Sequence, residues 1–153
     1  MQGRWIVIVT WATFALFVVT IVPDALGVNA FDDLSADVAL ALFLVSLPIW
    51  FYAFGVAVVR SARGDDVSVG SLFFLPGSAP SDVRRWMIAA FVASLVVAAA
   101  TAFANPFAVL EPVLPLALMG LWSARYGTFP ARDLAAETGP TKPRPRAQAG
   151  GAR

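Results

Sequence analysis

The chain contains no cysteine and no histidine. Their absence excludes disulfides, thiolate nucleophiles, Cys or His zinc sites, His-ligated haem and the Ser-His-Asp arrangement. Lysine occurs once, at Lys142, against ten arginines, a ratio that fits a GC-rich bacterial genome better than a demand for bidentate anion binding. Charge is scarce too, at 14% of residues, and the basic residues form no patch of the kind nucleic acid requires. No catalytic constellation and no cofactor or metal motif is present, which points away from an enzyme.

Apolar residues are abundant. They make up 59% of the 153 residues, and the mean hydropathy is +0.74, values of a membrane protein rather than a water-soluble domain. A bilayer core of about 30 Å needs about 20 apolar residues at about 1.5 Å rise each. Four apolar runs approach that size, at residues 5–22, 38–59, 86–104 and 106–123, the last broken only by Glu111. Strands of a transmembrane barrel would alternate in polarity and these runs do not, so the sequence predicts an all-α, integral membrane four-helix bundle. Ser81 and Asp82 are the expected N-cap residues of the third span, and Asn105 followed by Pro106 reads as the start of the fourth. With so little chain between them, spans three and four should form a tight antiparallel hairpin.

Orientation follows from the arginines. Arg4 precedes span one, Arg60, Arg63, Arg84 and Arg85 flank the loop between spans two and three, and the remaining basic residues follow span four. The other two loops carry none, and the loop of residues 23–37 holds Asp24, Asp32, Asp33 and Asp37. The positive-inside rule then puts both termini in the cytoplasm of a multi-pass protein of the cell membrane. A cleavable signal peptide is the alternative for the first run, with Arg4 as its charged region and residues 28–30 as the cleavage site. The run is longer than the usual apolar region of about 7–15 residues, which favours a retained span.

Residues 1–129 constitute the transmembrane domain in this reading, with Tyr126 and Phe129 at the interface. Residues 130–153 form a basic, Pro-rich tail whose composition cannot offset its ordering entropy, so disorder is expected there. Lys142, Arg144 and Arg146 in this tail can adhere to anionic lipid, but three charges are too few for a lipid-specific site and are better read as a topology determinant and solubilising tail. In the loop between spans two and three, the LFFL stretch of residues 72–75 is expected to lie in the headgroup zone with Phe73 and Phe74 buried.

Within the spans, Ala90, Ser94, Ala98 and Ala102 recur at four-residue spacing, with Ala89 and Ala93 beside them, and make a small-residue stripe. Such a stripe permits close helix packing, so this face is expected at the bundle's centre, or else at a homodimer seam or partner face. Pro48 in span two deprives a carbonyl about four residues earlier of its donor, which Ser46 or a neighbouring helix is expected to relieve. Kinks of this kind serve transport gates in some proteins and shape the bundle in most.

Span four carries the one acidic residue inside an apolar run, Glu111, followed by Pro112 and Pro115. No lysine or arginine within a span pairs with it, and an unpaired carboxylate at that depth is costly to keep charged. It should therefore reach toward the interface or toward hydroxyls such as Thr20 or Thr101. Two readings stand. In one, the prolines break the helix and leave free carbonyls beside the carboxylate, a grouping like the cation or proton sites of transporters. In the other, the helix begins at Pro112 and Glu111 is an interfacial cap residue favoured by the helix dipole.

The segment GLWSARYGTFPAR, residues 120–132, with the spacing of the spans, resembles small uncharacterised four-span membrane proteins of GC-rich actinobacteria, in which a Gly-Thr-Phe-Pro motif follows the last helix. The resemblance implies inner-membrane location and brings no activity and no site residues. The expected role is thus a non-enzymatic accessory or scaffold subunit, bound to lipid and either to itself or to a larger membrane complex. The alternative is a small transporter or proton-coupled permeation unit centred on Glu111, Pro112 and Pro115, with Pro48 and Tyr52 as the facing wall. A metal-dependent enzyme using Glu111 and the outer aspartates ranks third, since four Asp in a loop more often form a solvated acidic surface.

Overall fold

The computed structural model describes residues 3–132, and among them the chain is helical with no β-strand. Five α-helices follow in order: α1 (Arg4–Ala25), α2 (Asp32–Ala62), the short α3 (Val69–Phe73), α4 (Ser81–Thr101) and α5 (Val113–Tyr126). 3-10 turns at Asn29–Phe31 and Pro106–Leu110 precede α2 and α5. Four helical segments, Arg4–Ala25, Asn29–Ala62, Ser81–Thr101 and Pro106–Tyr126, are long and apolar enough to cross a membrane.

The helix boundaries differ from the uncharged runs for electrostatic reasons. α2 starts six residues early because Asp32 and Asp33 occupy its first turn, where carboxylates favour the positive end of the helix dipole. α4 starts at Ser81, yet neither Ser81 nor Asp82 is its N-cap. Pro80 takes that position with φ −56° and ψ 145°, and no side chain caps the helix. Proline does this readily, since its missing N–H is no loss at a helix start. Asn105 does cap as expected, its Oδ1 accepting from the Phe107 N–H at 2.9 Å. Pro48 lies inside α2 and faces outward, and the Ser46 hydroxyl donates to Phe43 O at 2.6 Å. That is one residue short of the carbonyl that Pro48 deprives, so Ser46 does not relieve it.

The bundle's centre is the fourth span rather than the small-residue face of α4. In the 18 residues of greatest apolarity the Pro106–Tyr126 segment is 72% buried, against 28%, 22% and 28% for the other three in chain order. Ala117, Gly120, Ser123 and Ala124 make α5 slim enough for neighbours to approach from all sides, and Leu114, Leu118, Met119 and Trp122 fill the core with Ile6, Phe17, Ile21 and Met87. Ala90, Ser94 and Ala98 of α4 are buried against this centre, Ala102 is half-buried and Ala89 exposed. The stripe therefore packs within the chain and is not free to form a seam between copies.

The loop after α2 folds back into the bundle. Ser68 caps α3 in a capping box with Ser71, and Leu72, Phe73 and Leu75 are buried. Phe73 stacks on Trp50, with ring centroids 5.8 Å apart, and fills the space that a side chain at Gly120 would take. Phe74 is 49% exposed, so of the two phenylalanines expected in the headgroup zone only one is buried, and it is buried in protein.

Candidate functional site

Glu111 lies at the break between the 3-10 turn Pro106–Leu110 and α5. Both sequence readings hold a part of this geometry: the span starts at Pro106, and its α-helical portion starts after Pro112. Five residues of 3-10 turn at about 2 Å rise and fourteen of α-helix at about 1.5 Å give roughly 31 Å, enough to cross the hydrocarbon. Glu111 is fully buried, and Pro112 and Pro115 are buried beside it. It is therefore not an interfacial cap residue open to water.

The carboxylate meets α4. Ser94 Oγ donates to Glu111 Oε1 at 3.3 Å, while Oε2 has no hydrogen-bond partner among the described residues. Ser94 stands seven residues before the end of α4, which places the pair about 10 Å below that end by helical rise. Thr20 and Thr101, the expected partners, are taken by their own helices: Thr20 donates to Leu16 O and Phe17 O, and Thr101 to Val97 O. A threonine in an apolar helix satisfies itself on the preceding turn. No basic side chain reaches Glu111, since the one ion pair among the described residues joins Arg60 to Asp65.

The freed carbonyls expected beside Glu111 are occupied. Pro112 cannot donate to Ala108 O, and Glu111 N–H does so instead at 3.3 Å; Pro115 cannot donate to Glu111 O, and Leu114 N–H does so at 2.9 Å. The prolines thus tighten the backbone into shorter-range bonds rather than open a cage of oxygens. Pro48 and Tyr52 do not form a facing wall. Both are exposed on the outer side of α2, and Tyr52 lies twenty residues from the start of α2, roughly 30 Å along its axis.

Two polar clusters that sequence reasoning missed lie at the bundle's ends. At the acidic end, Asn105 Nδ2 donates to Ser35 Oγ at 2.7 Å and Ser35 Oγ donates to Asp24 Oδ2, joining α1, α2 and the start of the fourth span. Among the described residues no group of three or more carboxylates is placed to hold a metal. At the arginine-bearing end, Arg60 Nε donates to Asp65 Oδ2 at 2.7 Å, and its Nη1 to Gly127 O at 2.9 Å and Ala124 O at 3.4 Å, so a cation caps the C-terminus of α5. Its guanidinium lies 4.6 Å from the Phe129 ring centre. Thr128 N–H donates to Ser78 O, Asp66 N–H to Pro130 O and Arg132 N–H to Gly64 O. The Gly-Thr-Phe-Pro segment is thereby fastened to the loop between α2 and α4. Lys142, Arg144 and Arg146 lie outside the described residues.

No protein-family model matches the chain, and no curated protein or solved structure is significantly similar to it.

Proposed function

We propose that the chain is a four-span protein of the cytoplasmic membrane, with both termini on the cytoplasmic side, acting as a non-enzymatic accessory or scaffold subunit. The observation that carries this reading is the distribution of apolar side chains. α5 fills the interior, while Ile8, Leu16 and Val19 of α1, Leu44, Phe51 and Val58 of α2, and Val92, Leu95 and Val96 of α4 are exposed. Water does not tolerate an apolar exterior on three sides of a bundle, and lipid or a membrane partner does. A closed interior, built on packing rather than on a lined passage, suits a part that positions other membrane components.

The experiment is purification from native membranes in mild detergent, with mass determination and identification of what travels with the protein. A stoichiometric partner supports the scaffold reading; a chain that purifies alone as a monomer overturns it. The buried carboxylate of Glu111, with one oxygen unpartnered among the described residues, favours a second reading as a permeation unit. In that case Glu111→Gln abolishes flux in proteoliposomes without loss of folded protein, and unchanged flux removes the reading.

A further inference from the structure

Two hollows at the arginine-bearing end share Val83 as a wall. One, of about 190 Å³, lies in the seam between α1 and α4 and is lined by Arg4, Val7, Ile8, Val83 and Trp86. The other, of about 430 Å³, lies between the loop before α4 and the end of α5, with Trp122, Tyr126 and Thr128 in its wall. We infer that this pair of hollows binds one anionic phospholipid, an acyl chain lying against Val7, Ile8 and Trp86 and the phosphate pairing with Arg4. The inference rests on the bilayer reading above.

Charge, level and hydrogen-bonding capacity agree on this occupant. The seam is apolar except for Arg4, which has no carboxylate partner, the one ion pair among the described residues being Arg60 with Asp65. The end that holds the hollows carries Arg4, Arg60, Arg63, Arg84, Arg85, Arg125 and Arg132 against Asp65, Asp66 and Asp82, while the opposite end carries Asp24, Asp32, Asp33 and Asp37 with no basic residue. An anion is drawn to the first end and repelled from the second. Trp5 and Trp86 are 48% and 59% exposed there, and Trp5 Nε1 donates to the Tyr126 hydroxyl at 3.2 Å, an aromatic group at headgroup level.

Donors for the polar head lie at one rim of the second hollow. α4 begins at its rim with no side-chain cap, so first-turn N–H groups are open to an acceptor. Trp122 lines the same hollow with its ring, while its indole N–H is buried beneath Gly3 and does not open into the hollow. Asp82 is exposed on that first turn, but Arg84 and Arg85 follow it and outnumber it.

The test is native mass spectrometry of the full chain in detergent, titrated with phosphatidylglycerol or phosphatidylcholine. The first phosphatidylglycerol is expected to bind about tenfold more tightly than phosphatidylcholine, a difference of about one charge-assisted contact. Arg4→Gln removes that preference, Ile8→Trp weakens both lipids by filling the seam, and Arg125→Gln, at the same end but outside both hollows, retains it. Equal affinity for the two lipids, an equal loss with Arg125→Gln, or displacement of bound lipid by inorganic phosphate alone overturns the inference. An alkaline carbonate wash of the membranes separates the failures. Protein released by the wash sinks the bilayer reading, whereas protein that stays and shows no lipid preference sinks only the lipid site.

Discussion

Glu111 and Gly120 show how one residue in the central helix constrains its neighbours. Glu111→Gln keeps an acceptor for Ser94 Oγ and removes a charge that hydrocarbon solvates poorly. We expect this variant to unfold in detergent at or above the parent's midpoint, and a drop of more than about 4 °C would show that the carboxylate has a structural partner. At Gly120 a Cβ would stand 2.6 Å from Phe73 Cε1. Gly120→Ala therefore has to push α3 off α5, at a cost of about 1–3 kcal/mol, read as a lower thermal midpoint. Wild-type stability in this variant would mean that Phe73 moves freely. The sequence marks Glu111 as unusual because a lone acid in an apolar run needs no structure to be noticed. It does not reveal Ser94 as the partner, since Ser94, Thr20 and Thr101 are equivalent on paper and differ only in which helix faces span four. Gly120 carries no signal either: its role depends on a phenylalanine 47 residues earlier in the chain.

Among the elements, the join between α5 and the loop after α2 depends most on one side chain. Arg60 holds Asp65, Ala124 O and Gly127 O together. Arg60→Gln should cost about 1–2 kcal/mol locally, from lost charge-assisted bonds and a lost cation at the helix C-terminus. The check is hydrogen exchange: amides of residues 124–132 are expected to exchange about tenfold faster while those of α1 are unchanged, and uniform rates across the chain would refute the clasp. The four long helices are legible from composition because hydrocarbon demands long uncharged runs, and that demand is nearly independent of packing. Their ends are less so. The acids that open α2 precede its uncharged run yet lie within the helix, and Pro80 does the capping that Ser81 and Asp82 have the side chains for.

For the whole molecule, the segregation of charge makes a direct prediction about sidedness. Because the chain has no native cysteine, Asp32→Cys and Arg144→Cys each supply a single thiol. In intact cells a membrane-impermeant maleimide should label the first, and label the second only after permeabilisation. Labelling of both from the same side would overturn the arrangement. Which helix takes the middle is not readable from hydropathy, since the fourth span is the least apolar of the four by mean hydropathy, 1.6 against 2.4, 2.2 and 1.7. In a soluble bundle the most apolar helix would be the natural centre. In a bilayer the outside is apolar as well, so apolarity gives no reason for one helix over another to be drawn inward, and close packing decides it.

That placement also bears on how the protein is made. If the four helices insert as proposed, they do so in chain order, and α1, α2 and α4 reach the membrane before the helix they wrap. Until the fourth span arrives, Ser94 lacks Glu111 and the three earlier helices lack the segment that fills the interior. On that proposal, biogenesis holds an unfinished assembly in the lipid until synthesis has passed Tyr126.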